Sequence, residues 1–388
     1  MNRILGVVAE YDPFHRGHER HLRLARERVQ PDFTWVALSG CFRQRGEIAM
    51  LSPHDRAVCA LAAGADAVFL LPTVWTLRDA EHYALGAVSM LAGLGATHLA
   101  FGAENADLSL LRKTAECLEN PSPALRGRLK DALAEGNGYP AALEKALEAE
   151  SPELSGVLSG PNNILGVCYL RAILRLGLNL IPEAVERTGG YHAETVDPAS
   201  PSASALRGAL RRGDYARAFP AVTETGERIL RNAFLEGRVP DEKILDQLLI
   251  RAWRGMSREE AAELPDVSEG IGDRILEAAR TADSRAGLLD AVCTRRFPRA
   301  RISRILTCGL LGLTREKAEN APLPAETLLL GLRRNPEMTA VWREGKIRVR
   351  SSPKELPNDP ARSVWCQCAG LPEDWFFRRR MITDEDAG

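Results

Sequence analysis

Apolar positions in the first hundred residues fall into short unbroken runs, separated by stretches whose apolar residues recur every three or four positions. The runs at 4–9, 34–38, 68–71 and 98–101 read as strands covered on both faces. The stretches at 18–29, 53–63 and 80–92 read as amphipathic helices. Strand and helix in alternation predict an α/β fold built on a doubly wound parallel sheet, whose ligands sit beyond the carboxyl ends of the strands. The loops after strands one, two and four are then expected to line one crevice. A fifth strand is expected at about 178–185. Residues 107–148 read as a polar helical insertion covering the crevice, with Pro121 and Pro123 between its segments. From about residue 213 the strand rhythm gives way to helices punctuated by Pro240, Pro265, Pro322 and Pro324. A chain of 388 residues exceeds one typical core. The expected division is a nucleotide-binding domain at 1–212 and a mainly helical domain at 213–388.

Hydrophobic content of 45% and charged content of 27% are those of a soluble globular protein. The eight cysteines are scattered and form no Cys-x-x-Cys pair, so neither a zinc ribbon nor a disulfide framework is indicated. There is no basic segment leading into a long apolar stretch at the N-terminus and no run of membrane-spanning length, which points to a reducing cytoplasm. Net charge is −1, but residues 291–350 hold 13 Lys and Arg against 5 Asp and Glu, a local +8, leaving −9 on the rest. Such asymmetry permits a basic face for a polyanion. The sequence sets no oligomeric state.

The chemistry concentrates where the first strand hands over to the first helix. Asp12-Pro13 breaks the strand, and His15, Gly17 and His18 follow at the helix start. A helix start offers free N–H groups and the positive end of its dipole, glycine permits close approach of a phosphate, and two imidazoles can donate to it. The loop Ser39-Gly-Cys-Phe-Arg-Gln-Arg-Gly-Glu47 after the second strand is dense in hydrogen-bonding groups. By itself it reads equally as a solvated loop with glycine turns. Gly102, at the end of the fourth strand, is either a turn or a place for an adenosine to pack. One of Asn162 and Asn163 reads as a helix cap, leaving the other free for a ligand. Ser202 and Ser204 open another helix, where serine is most often a cap. His15, His18 and His21 could place two imidazoles on one face, but no Cys or carboxylate pattern completes a metal site.

The string Glu10-Tyr-Asp-Pro-Phe-His-Arg-Gly-His18 resembles the signature of the tRNA(Met) cytidine acetate ligase family, a branch of the His-x-Gly-His nucleotidyltransferases. The resemblance recurs in the 39–47 loop, in Phe101-Gly-Ala-Glu104, in Pro161-Asn-Asn-Ile-Leu-Gly166 and in Arg296-Phe-Pro-Arg-Ala-Arg301. It implies ATP as substrate, with Mg2+, and a nucleotide site formed by Val7, Val8, Ala9, Glu10, Tyr11, Asp12, Pro13, Phe14, His15, Arg16, Gly17, His18, Glu19 and Arg20, together with Gly102, Asn162, Arg187 and Thr188. Within it His15 and His18 carry the catalytic role. A second phosphate signature of the superfamily, Ile-Ser-Ser-Thr-x-Ile-Arg, has a similar string here that makes Ser202, Ser204 and Arg207 second-rank phosphate candidates. The chain departs from the family pattern at Pro53 and Val58, where lysines are usual and only Arg56 is kept, and at Ala103, where serine is usual.

The implied reaction joins acetate to ATP as acetyl-AMP and passes the acetyl group to the N4 amine of the wobble cytidine of elongator tRNA(Met). The arginines Arg295, Arg296, Arg299, Arg301 and Arg304 are expected to grip the tRNA, and no metal-binding residue is assigned. Without the resemblance, the residues read as an ATP-using enzyme that attacks the α-phosphorus and expels pyrophosphate. Two other readings stand beside it: a small-molecule adenylyltransferase, and a non-catalytic RNA-binding protein with a vestigial nucleotide site.

Overall fold

The computed structural model describes residues 2–187, 196–333, 335–343, 345–379 and 381–387. Its first half alternates β1 (Ile4–Ala9), α1 (Arg16–Val29), β2 (Phe33–Ser39), α2 (Pro53–Ala62), β3 (Ala67–Leu71), α3 (Ala80–Gly93) and β4 (His98–Ala103). Then come α4 (Leu108–Glu119), α5 (Pro123–Ala134), α6 (Tyr139–Glu150), α7 (Pro161–Arg175), β5 (Ile181–Glu186) and α8 (Ala203–Arg211). Strands β5, β4, β1, β2 and β3 lie side by side in that order, all parallel. The order reverses at β1, so the carboxyl end of β1 is the switch point at which such sheets open a crevice.

Alternation along the strands feeds two apolar layers. Leu5, Val7 and Ala9 of β1 face α1 and α2, with Leu22, Ala25, Ala57 and Leu61 opposite. Ile4 and Val8 face α3 and α7, where Val88, Leu91, Val167 and Leu170 pack. Both faces are covered, and so the strands carry continuous apolar runs rather than an alternating pattern.

The second half is not wholly helical. Helices α9 (Glu224–Leu235), α10 (Glu242–Arg254), α11 (Ile271–Ala279), α12 (Arg285–Val292) and α13 (Arg299–Leu311) follow as expected, the last four packed around Trp253, Ile275, Leu289 and Ile305. The chain then returns to the sheet. Strand β6 (Glu326–Leu332) pairs antiparallel with β3, and after α14 (Pro336–Arg343) come β7 (Arg348–Arg350), α15 (Pro360–Cys368) and β8 (Ile382–Thr383), the two strands pairing with β6. The reason is physical: β3 would otherwise be an edge with unpaired backbone groups. Thr327–Leu332 supplies what covers it, Leu328 and Leu330 entering one layer and Leu329 the other.

The helical half docks on the loop between β2 and α2. Gly46 sits there at φ +73°, and any side chain would come within 2.6 Å of the Ser303 carbonyl. Its own carbonyl accepts from Thr307 Oγ1 at 2.7 Å and Arg285 Nη2 at 3.1 Å, and Ser303 Oγ donates to the Arg45 carbonyl at 2.6 Å.

Arg56, fully buried in α2, ties the crevice loops together from below. Its guanidinium donates to the carbonyls of Leu51 (3.1 Å), Glu10 (2.6 Å) and Gly40. Arg56, the basic residue that the resemblance kept in this helix, therefore staples the loops together. Arg56→Met keeps most of the volume but strands three buried carbonyls, and is expected to cost about 3 kcal/mol. Arg23→Ala, which breaks only an exposed pair with Glu27, should cost less than about 0.5 kcal/mol. Urea unfolding of the two variants checks both values.

Candidate functional site

A cleft of about 2000 Å3 opens over the carboxyl ends of β1, β4 and β5, lined also by α1, the 43–47 loop and the start of α8. His15 is the N-cap of α1 and is 2% exposed. Its Nδ1 accepts from the Gly17 N–H at 3.1 Å, while the His15 N–H donates to His18 Nδ1 at 3.3 Å. The pair thus forms a reciprocal capping box in which imidazoles play the parts usually taken by a hydroxyl and a carboxylate. The two rings stack, centroids 3.6 Å apart and 17° from parallel. Gly17 is tight against them: a Cβ would lie 3.0 Å from the His15 ring.

This bonding fixes the protonation. With Nδ1 of each ring used as an acceptor, a neutral imidazole must carry its proton on Nε2, which leaves a donor on each ring for an anion in the cleft. Burial pushes His15 down to about 3, with Arg187 and Arg207 adding to it. Burial, then the neighbouring His15, holds His18 well below the ordinary histidine value. Both rings are neutral donors at pH 7. The helix start is not free, as the sequence suggested, because His15 itself satisfies the Gly17, His18 and Glu19 N–H groups.

Cations surround this notch. Arg43, 4% exposed, pairs with Asp12 at 3.3 Å and Glu47 at 2.6 Å, and Asp12 also accepts from the Met50 and Leu51 N–H groups at 2.8 and 3.3 Å. Arg207 on α8 donates to the Asp12 carbonyl at 2.5 Å, and burial lowers its pKa to about 10. Ser202 caps α8 by position but spends no hydrogen bond on the helix. Across the cleft, Arg187 Nη1 donates to Asn162 Oδ1 at 2.9 Å and its stem lies over Gly102, where a Cβ would meet it at 3.2 Å. The start of α7 is held by Glu104, which accepts from the Asn162 N–H at 3.1 Å, the Asn163 N–H at 2.7 Å and Asn162 Nδ2 at 2.5 Å.

Comparison with known proteins gives one consistent answer. Residues 1–339 match the HIGH Nucleotidyl Transferase family. The tRNA(Met) cytidine acetate ligases of Fervidobacterium nodosum and Syntrophotalea carbinolica are 35% and 38% identical, over 78% of this chain in both cases and 72% and 73% of theirs. The crystal structure of Thermotoga maritima TmcAL without ligand, 28% identical, superposes with a TM-score of 0.86 over 100% of this chain and 96% of its own. The form of that protein bound with alpha-thio ATP gives 0.85 over 98% and 99%. This chain belongs to the tRNA(Met) cytidine acetate ligase family.

Most residues that the family signature singles out meet at the cleft. Val7, Val8, Ala9, Glu10, Tyr11, Asp12, His15, Arg16, Gly17, His18, Glu19, Arg20, Gly102, Asn162, Arg187, Ser202, Ser204 and Arg207 all line it. Pro13 and Phe14 do not: Phe14 turns into the core, its ring edge-on to Tyr11 at 4.8 Å, and supports the cleft from below. Thr188 lies outside the described residues. Neither asparagine is the helix cap, which is Gly160; Asn163 is buried and accepts from the Glu104 and Asn105 N–H groups at 2.9 and 3.2 Å. The 107–148 insertion contributes no lining residue; α4 packs on α7, and α5 and α6 form a small cluster around Leu125 and Leu147.

The arginine cluster divides. Arg304 is buried against Asp266 at 3.1 Å, and Arg301 donates to the Asp266 carbonyl and Ser268 Oγ, both at 2.8 Å, so these two hold the 266–268 turn. Arg295, Arg296 and Arg299 are exposed, the last two paired with Glu269 and Asp290. Phe101, part of the 101–104 string, also lines the cleft, as do Tyr83 and Tyr169, which were not singled out. Among the described residues no group of three His, Cys, Asp or Glu is placed to hold a metal ion, and no helix is long and apolar enough to cross a membrane.

Because folding lowers His15 from 6.5 to about 3, the unfolded chain binds more protons below pH 6.5. The free protein keeps this contribution above pH 6.5 and loses it as pH falls toward 3. His15→Gln should reduce the stability lost between pH 7 and pH 5 by about 2 kcal/mol. Urea unfolding at the two pH values tests this, and a loss equal to that of the unmodified protein would mean that His15 titrates normally.

Proposed function

We propose that this chain is an ATP-dependent acetate ligase that forms acetyl-AMP and acetylates N4 of the wobble cytidine of elongator tRNA(Met). The observation that carries the reading is the pair of neutral imidazoles, each with its Nε2–H left for an anion, set between Arg207 and Ser202 on one side and Gly102, Asn162 and Arg187 on the other. A triphosphate chain laid along α1 would have the His15, His18, Ser202, Ser204 and Arg207 side chains as its donors. Arg187 and Asn162 then face the nucleoside end, and Thr188 is assigned with them. An acetate oxygen attacks the α-phosphorus, the bond to the bridging oxygen breaks, and pyrophosphate leaves on His15, His18, Ser202, Ser204 and Arg207. These groups stabilise charge and need form no covalent bond.

The donor set does not fit a protein-held Mg2+, since Asp12 is already taken by Arg43 and two backbone N–H groups. Mg2+ that accompanies ATP is assigned to the phosphate oxygens, and no step here runs through it. We assign residues 1–212 to the catalytic domain and the helices of 213–388 to tRNA binding, with Arg295, Arg296 and Arg299 as the exposed contacts. Arg301 and Arg304 are withdrawn from that surface by their bonds to the 266–268 turn. All eight cysteines are free thiols, which supports a reducing cytoplasm as the setting.

Exchange of labelled pyrophosphate into ATP should require acetate and proceed without tRNA. His18→Ala should slow it about 10²–10³-fold, the usual cost of losing one charge-stabilising donor; a rate near that of the unmodified protein would remove the phosphate role. Arg295→Ala with Arg296→Ala should leave the exchange intact, weaken tRNA binding and reduce its salt slope by about 2. An equal loss in both assays would place that pair in support of the fold.

A further inference from the structure

Glu10 is hard to explain as part of a site for anions. It follows the last residue of β1, half-buried, on the wall of a cleft that is to hold a triphosphate and an acetate, both of which its charge repels. Among the described residues, only one of its oxygens finds a partner. Oε1 accepts from the Gln44 N–H at 2.6 Å, and Gln44 is itself anchored through Nε2 to the Arg78 carbonyl at 2.7 Å. Oε2 makes no hydrogen bond or ion pair with any described residue and is open to the cleft.

Its place along β1 sets it toward the other face of the sheet from the histidines. Side chains alternate along β1, so Val7 and Ala9 turn toward α1 and the histidines, whereas Val8 turns toward α3 and α7, and Glu10 continues the latter side. On that side Tyr83 of α3, Phe101 of β4 and Tyr169 of α7 line the cleft, Phe101 and Tyr169 with centroids 5.8 Å apart. Tyr83 Oη is bonded to Ser39 Oγ at 3.2 Å. The charged and titratable groups that feel Glu10 are Arg43 of the 43–47 loop, Arg56 of α2 and Arg207 of α8, with the Tyr83 and Tyr169 hydroxyls. A carboxylate beside flat apolar rings suits a ligand that is planar and carries an amino group. A cytosine turned out of its stack is such a ligand, read at N4 by a carboxylate and held by aromatic faces.

We propose that Glu10 receives the 4-amino group of the target cytidine and takes up the proton that this amine loses on acetylation. The proposal rests on the acetate-ligase reading above. The N4 lone pair attacks the acetyl carbonyl carbon of acetyl-AMP, the carbonyl electrons move to oxygen, and the tetrahedral adduct collapses by breaking the bond to the phosphate oxygen. AMP departs with that electron pair. The N–H proton passes to Oε2 and from there to water, leaving a neutral amide.

The test separates the two half-reactions by supplying acetyl-AMP directly to the full-length enzyme and following acetyl transfer at saturating elongator tRNA(Met). Glu10→Gln keeps the shape and the acceptor for the Gln44 N–H. It is expected to slow transfer by about 10²–10⁴-fold, as loss of a general base does, and to slow acetate-dependent pyrophosphate exchange by a much smaller factor. Glu10→Asp, which restores a carboxylate, should regain at least about tenfold in transfer rate with the tRNA KM little changed. Equal losses of transfer and exchange in Glu10→Gln, or no rescue by Glu10→Asp, would overturn the proposal. If the unmodified enzyme cannot use added acetyl-AMP at all, it is the acetate-ligase reading that fails.

Discussion

The structure depends on how the first turn of α1 is closed. A helix start needs acceptors for its N–H groups, and an anion site needs donors at the same place. Here His15 supplies the acceptor through its Nδ1 and backbone carbonyl, and by doing so fixes its own proton on the opposite nitrogen. His18 repeats the device against the His15 N–H. The cap and the pair of Nε2 donors are therefore one structure, and burial keeps both rings uncharged.

Everything around that turn serves to keep it rigid. Arg56 binds three carbonyls of two loops from beneath, Asp12 is held by Met50, Leu51 and Arg43, and Arg207 reaches back from α8 to the Asp12 carbonyl. The 43–47 loop is fixed in turn by α13, through Gly46, Ser303 and Thr307. That contact joins the helical half, which carries the exposed arginines, to the wall of the cleft. The return of β6 to the sheet beside β3 binds the two halves further.

The parallel sheet and the histidine notch were legible because each left a local mark: apolar runs with no alternation, and a glycine among histidines at a strand-to-helix step. What could not be read was set by partners far away in the chain. Thr327–Leu332 has the same buried-strand pattern as β1 but follows a region of prolines and helices, and only the open edge of β3 explains its place. Arg304 and Arg301 look like Arg295 and Arg296 along the sequence, yet Asp266, more than thirty residues away, draws the first two inward. Asn163 was weighed as a cap beside Asn162, but its carbonyl oxygen serves the chain at Glu104. Arg56 carried the charge of a phosphate ligand and no sign of the carbonyls it staples.

The most direct test is a crystal structure of the protein with a non-hydrolysable ATP analogue. The account predicts β- and γ-phosphate oxygens at about 3 Å from Nε2 of both His15 and His18, with Nδ1 of each ring still accepting from the backbone. Phosphates bound elsewhere, or imidazoles that turn Nδ1 toward them and abandon the cap, would contradict it.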